Sequence, residues 1–245
     1  MSLSVRVYLF VLLVGTSSLN LSAQTPISAP CGFGSATQVA TTDTKTLWHG
    51  FTGIPRNAIR PHNLAWELPI AAVTGALIAQ GDSSAANRIQ SKSLQDVSSR
   101  WSNIGLAMEL GAGALTWTGG CVSHRSRAAE TGFTALGAMA AAGVMDQVLK
   151  LGFNREYPYD PGSTGRFWHG GRSFPSGHSA MSFAFASVVA HRYPHNPWVK
   201  WGAYALATGV SLSRYPAKKH FPSDIIIGAT LGYVTGSYVA DHTLR

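Results

Sequence analysis

SFPSGHSAMSFAFASVVAHRYPHNP, residues 173–197, decides the fold. Pro175 and Ser176 make a turn with a natural helix N-cap. The Ala-, Phe- and Val-rich run Ser176–Arg192 that follows reads as a helix, and Pro194 and Pro197 close it. The first turn of this helix carries Gly177 and His178. Glycine lets backbone come close to an anion, free amides at a helix N-terminus bind phosphate, and a histidine there can protonate a leaving oxygen.

Outward from this stretch the chain reads as helices. Leu64–Gln80, Ser102–Thr118 and Ala128–Leu151 precede it, rich in Ala, Gly, Leu and Met; Trp198–Ser213 and Pro222–Ala240 follow. No strand and no internal repeat is apparent. The expectation is all-α, a six-helix bundle with a long loop over 152–175 before the fourth helix. Gly81–Arg100 reads as a polar linker in which Asp82-Ser83-Ser84 signals a cap.

At the N-terminus, Arg6 and the apolar run Val7–Val14 precede Ser22-Ala23, the pattern of a signal peptide over 1–23. Residues 24–62 form a loop-rich lead-in, and 63–245 the helical domain. Charged residues are only 12% of the chain, well under the roughly 25% of an ordinary soluble domain. The net charge of +8 has no long block of one sign, which argues against a nucleic-acid partner and suits an anionic substrate or lipid surface. Cys31 and Cys121 lack the spacing of a zinc site. Either a disulfide between them, if the chain is exported, or two unpaired buried cysteines fits.

Several helices approach the roughly 20 apolar residues that cross a bilayer, but Glu67, Glu109, Glu130 and Asp146 lie in or beside the first three. Carboxylates are expensive in lipid. Either they face the bundle interior, or they are exposed on a soluble bundle. A cleaved signal starts the mature chain outside, and three full spans before Lys150 would put the following loop in the cytoplasm. An outward-facing loop needs an even number of spans, an unembedded bundle, or an N-terminal segment that is not a signal.

Three polar clusters stand among these helices. The first is Lys150 with Arg155. The second is Pro175-Ser176-Gly177-His178. The third is Ser213-Arg214 with His220 and Asp224. His220 and Asp224 are four apart and share a helix face, so the carboxylate can fix the imidazole tautomer and leave the other nitrogen as nucleophile. Lys150, Arg155 and Arg214 can together neutralise a phosphoryl group. Arg166, Trp168, His169 and Arg172 in the long loop are placed to line an entrance. Lys218 and Lys219 read as a solvated loop, and the remaining histidines have no partner pattern.

Taken together, the second and third clusters resemble the signatures of the type 2 phosphatidic acid phosphatase (PAP2) and vanadium haloperoxidase superfamily. The resemblance covers about residues 128–240. It implies a helical core, a phosphohistidine on His220 oriented by Asp224, and His178 as general acid. It further implies that Lys150, Ser176, Gly177 and Arg214 hold the phosphoryl oxygens, with no metal or cofactor. The first signature departs from the family's lysine, six residues, arginine-proline: Lys150 and Pro158 match, but Tyr157 takes the arginine position. Arg155 projects to the same side of an extended chain, roughly 6.6 Å away, and is expected to compensate in part.

The residues flanking the motifs look like bacterial lipid phosphatases. By analogy the substrate is phosphatidic acid, phosphatidylglycerol phosphate or a polyprenyl diphosphate, in or on the membrane of the bacterial envelope. The alternatives are a vanadium-dependent haloperoxidase, a soluble periplasmic acid phosphatase, and a non-catalytic homologue.

Overall fold

The computed structural model describes Cys31 and residues 61–243. The expected signal segment 1–23 lies outside the described residues, as does most of the lead-in. The described chain is helical throughout its ordered elements: α1 (Pro61–Ala76), a π-turn (Leu77–Gly81), α2 (Asp82–Arg88), α3 (Lys92–Val122), α4 (Ser126–Phe153), α5 (Gly177–Arg192), α6 (Pro197–Ser213) and α7 (Pro222–Thr243). Because α1, the π-turn and α2 run on without a break, these elements form six rods, as the sequence predicts.

The expected linker Gly81–Arg100 is largely helical. Ser91 caps α3 by accepting the Leu94 N–H at 3.3 Å, so the helix starts ten residues earlier than Ser102. Asp82 opens α2 but is no surface cap: it is 1% exposed, inside the protein. α4 ends where Asn154 adopts the left-handed conformation (φ 42°), which asparagine tolerates, and its N–H returns to the Lys150 carbonyl at 3.0 Å. Asn196 caps α6 through the Val199 N–H at 3.2 Å, with Pro197 in the first turn.

α5 is the centre of the bundle, packed against α4, α6 and α7. Ala180, Ala184, Phe185 and Val188 on α5 meet Ala135, Ala138, Met139 and Ala142 on α4 in the main core. Its contact with α7 is backbone to backbone. A Cβ at Gly228, Gly232 or Gly236 would lie 2.4, 2.1 or 2.4 Å from the carbonyl oxygens of Ser176, Ala180 and Ala184. This stripe of glycines, four apart on one face of α7, lets the two helices touch. It sets the start of α7 beside the start of α5. The Ser176 N–H donates to the Asp224 carbonyl at 3.0 Å, which joins the second and third clusters.

α3 is built inside out. Its buried face carries Ser98, Ser102, Gly105, Glu109 and Gly113, while Val97, Trp101, Ile104, Met108 and Leu115 are exposed. Glu109 is fully buried and accepts from Ser182 Oγ on α5 at 2.6 Å. Asp146 is buried as well, and Glu130 pairs with Arg192 at 2.7 Å. These three carboxylates are therefore not the free exposed groups of a soluble bundle; the side chain of Glu67 lies outside the described residues. Among the described residues, one helix, α4, is long and apolar enough to cross a membrane. Cys31 is joined by a disulfide to Cys121 at the end of α3, resolving the two readings of that pair.

Candidate active site

The three clusters converge at the end of the bundle where α4 and α6 finish and α5 and α7 begin. His220 lies just before α7 and is 5% exposed. Its Nδ1 is 2.7 Å from the Ser173 carbonyl and 3.8 Å from Asp224 Oδ2. The carbonyl therefore accepts the Nδ1 proton and fixes the tautomer, leaving Nε2 with its lone pair. Asp224 stands behind at a distance too long for a hydrogen bond. Burial, then the cations Arg214 and Lys150, push the His220 pKa down against the pull of Asp224, so the imidazole is neutral.

Asp224 has other work. Its Oδ2 accepts the Phe221 N–H at 2.9 Å, and its Oδ1 accepts from Arg155 Nη1. Here the structure corrects the expectation for Arg155. Its guanidinium is fully buried and its donors are used inside the protein. Nε donates to the Gly165 carbonyl at 3.0 Å, Nη1 also to Ser223 Oγ at 2.7 Å, and Nη2 to Asp82 Oδ2 at 2.7 Å. The rings of Phe167 and Phe221 lie 4.6 and 4.4 Å from it. Asp82 in turn accepts the Ser223 N–H at 3.2 Å at the start of α7, where the helix dipole favours a carboxylate. Arg155 is thus a buried tie between α2, the long loop and α7. It does not replace the missing arginine at Tyr157.

Tyr157 stacks on Tyr159 with ring centroids 4.8 Å apart, and Lys219 Nζ lies 4.9 Å from the Tyr159 ring. Lys219 is therefore held against an aromatic rather than loose in solvent. Arg214 follows α6 and donates from Nη1 to Ser102 Oγ at 2.9 Å; burial lowers its pKa to about 10, leaving it charged. Lys150, in the last turn of α4, donates to Asp146 Oδ2 at 2.7 Å. The Asp146 carboxylate lies under the start of α5, where a Cβ on Gly177 would come within 2.8 Å of Oδ2. A side chain at that position would have to displace the carboxylate that Lys150 holds.

Ser176 occupies the N-cap position of α5, but its side chain makes no capping bond and instead accepts from Ser179 Oγ at 3.0 Å. The first-turn amides of α5 thus have no side-chain cap. His178 sits in that turn with Nε2 3.0 Å from Asn103 Oδ1 on α3. Burial first, then the nearby Arg214, His220 and Lys150, push its pKa down to about 3. In the long loop, Arg166 donates to Glu156 at 3.0 Å and Trp168 to the Gly152 carbonyl at 3.0 Å. Arg172 and His169 are exposed.

Ser102, Asn103 and Asp82 carried no signal of a site role in the sequence. Each lies far upstream of the motifs and meets them only through packing.

Two histidines, two cations and an uncapped helix N-terminus meet on one helical scaffold, an arrangement chemically able to hold an anion. Residues 131–242 match the model of the PAP2 superfamily. Over 99 residues the chain is 33% identical to a lipid A 1-phosphatase of Porphyromonas gingivalis, covering 40% of this chain and 20% of that protein. The matched stretch is thus a fifth of the relative's length. The crystal structure of a transmembrane PAP2-type phosphatidylglycerolphosphate phosphatase from Bacillus subtilis aligns with a TM-score of 0.48 and 22% identity, over 83% of this chain and 98% of that one.

Proposed function

We propose that this chain is a lipid phosphatase that removes phosphate from a phosphomonoester or diphosphate through a phosphohistidine on His220. The observation that carries the reading is the state of His220. It is buried and neutral, its Nδ1 proton is given to the Ser173 carbonyl, and its Nε2 is left beside two cations.

In the first step the Nε2 lone pair attacks phosphorus and a P–N bond forms. The P–O bond to the alcohol or phosphate leaving group breaks, and its electron pair stays on that oxygen, which takes a proton from His178. Water then gives a proton to His178 and attacks phosphorus, and the P–N bond breaks with its electron pair returning to Nε2. Lys150, Arg214 and the first-turn amides of α5 hold the equatorial oxygens. Burial depresses the His178 pKa most and the nearby cations add to it; a phosphoryl dianion offsets the cations, so substrate binding itself favours the proton that His178 must deliver. Asp224 acts at one remove, fixing the turn that carries His220 and, with Asp82, holding Arg155.

A lipid substrate is supported by the name of the Porphyromonas gingivalis relative and by the apolar outer face of α3. An exported, membrane-associated protein of the bacterial envelope is in keeping with the Cys31–Cys121 disulfide, since such bonds persist in oxidising compartments.

The test is phosphate release by purified protein in detergent, across lipid and soluble phosphoesters, with chelator present. Release is expected to resist chelator, to be blocked by vanadate, and to vanish in His220→Ala. Normal turnover by His220→Ala would sink the mechanism.

A further inference from the structure

We propose that Asn103, on α3, is a positioning residue that fixes which nitrogen of His178 delivers the proton to the leaving group. This rests on the phosphatase reading above. It concerns a helix that lies wholly outside the segment, 131–242, that matches the family.

The geometry is direct. Asn103 Oδ1 lies 3.0 Å from His178 Nε2. A carbonyl oxygen only accepts, so the Nε2 proton points at Asn103. In the neutral ring Nδ1 then carries the lone pair, and in the imidazolium Nδ1–H is the proton not already engaged. When the P–O bond breaks and its electron pair moves onto the leaving oxygen, the proton that meets it comes from Nδ1. The bond to Asn103 also holds the ring against rotation about its side-chain torsions, which keeps Nδ1 aimed at one point.

The neighbouring residue strengthens the assignment. Ser102 accepts from Arg214 Nη1 at 2.9 Å. Two successive residues of α3 thus grip the acid and a cation of the site. The Asn103 side chain is exposed on the outer part of the helix, and alanine is the best helix former, so removing it opens no core cavity.

A residue that acts through a general acid betrays itself by leaving-group dependence, which a merely structural residue does not alter. Wild type, Asn103→Ala and Asn103→Asp are compared by kcat/KM on p-nitrophenyl, phenyl and alkyl phosphates. This parameter reports steps up to the first P–O cleavage, and p-nitrophenolate leaves with little need of a proton. Asn103→Ala is expected to lose roughly tenfold on the alkyl ester, the scale of one neutral hydrogen bond, and less than about twofold on the p-nitrophenyl ester. Asn103→Asp keeps an oxygen acceptor at the same place and is expected to restore the wild-type leaving-group dependence. If alanine does not fold, Asn103→Leu, of similar size and without an acceptor, replaces it in the same comparison. Equal losses on all three esters, or none on any, overturn the assignment. A wild-type protein that cleaves none of them overturns the phosphatase reading itself, and the inference with it.

Discussion

Arg155 and Arg214 look alike in the sequence, each an arginine near a helix end and within one of the polar clusters. Their surroundings separate them. Arg214 spends one donor on Ser102 and faces the other groups of the site, while Arg155 is clamped by Asp82, Asp224, Ser223 and Gly165 between two phenylalanine rings. Removing one partner from a buried ion network leaves uncompensated charge and costs about 3–5 kcal/mol. Arg155→Ala is therefore expected to lose that much stability, leaving Asp82 and Asp224 buried without their cation. Arg214→Ala should keep its melting temperature within a few degrees and lose turnover. Thermal unfolding of both variants in detergent decides it; an Arg155→Ala protein as stable as wild type would mean that the network is not holding the fold. The sequence showed Arg155 as a cation near Lys150, and spacing alone could not show which way its side chain turns. That is fixed by Asp82, 73 residues upstream, which as part of Asp82-Ser83-Ser84 has the local pattern of an ordinary cap. Asn103 was equally silent, since an asparagine on a helix face carries no pattern of its own. By contrast, His178 and His220 were legible because each sits in a local motif whose turn, cap and helix start are all written within a few residues.

At the scale of elements, the site depends on how closely α7 lies on α5. Ser176 and Asp224 can meet through main-chain atoms because Gly228, Gly232 and Gly236 offer no side chain in between. A methyl group at Gly232 would sit 2.1 Å from the Ala180 carbonyl, against backbone that cannot turn aside. Overpacking of this kind typically costs about 1–3 kcal/mol. Gly232→Ala should accordingly lower the melting temperature and, by shifting His220 and Asp224 against the start of α5, lower kcat as well. Gly202 on α6 has nothing within 4 Å of the same position. There the gain in helix propensity should leave Gly202→Ala neutral or more stable by up to about 1 kcal/mol. A pair of melting curves and rates tests the contrast, and equal behaviour of the two alanines would refute it. Helix ends marked by Pro197, Pro222 and the Pro175-Ser176 turn were readable in advance. The early start of α3 was not, because Ser91 is a single serine in a polar stretch and its capping bond becomes evident only once the helix is placed.

At the scale of the molecule, the usual distribution of polarity is turned around on the longest of the described helices. α3 hides serines, glycines and Glu109 and presents Val97, Trp101, Ile104, Met108 and Leu115, with Trp101 64% exposed. A helix with small and polar residues inside and an apolar stripe outside suits surroundings that are themselves apolar, where small residues let helices pack closely. Asn103, next to the site, lies on the same helix beside Trp101 and Ile104. An apolar phase that covers this stripe would therefore bring a lipid headgroup near His178, which links the embedding of α3 to the choice of substrate. The outer stripe is the part to change, because Trp101, Ile104 and Met108 are each more than half exposed. The triple variant Trp101→Ser, Ile104→Ser, Met108→Ser should keep its helix content and its rate on a soluble aryl phosphate. It should lose most of its flotation with phospholipid vesicles and most of its rate on vesicle-borne lipid phosphate. Undiminished flotation would show that some other face meets the bilayer, and parallel loss of the soluble and lipid activities would show that the stripe supports the site rather than its access to lipid.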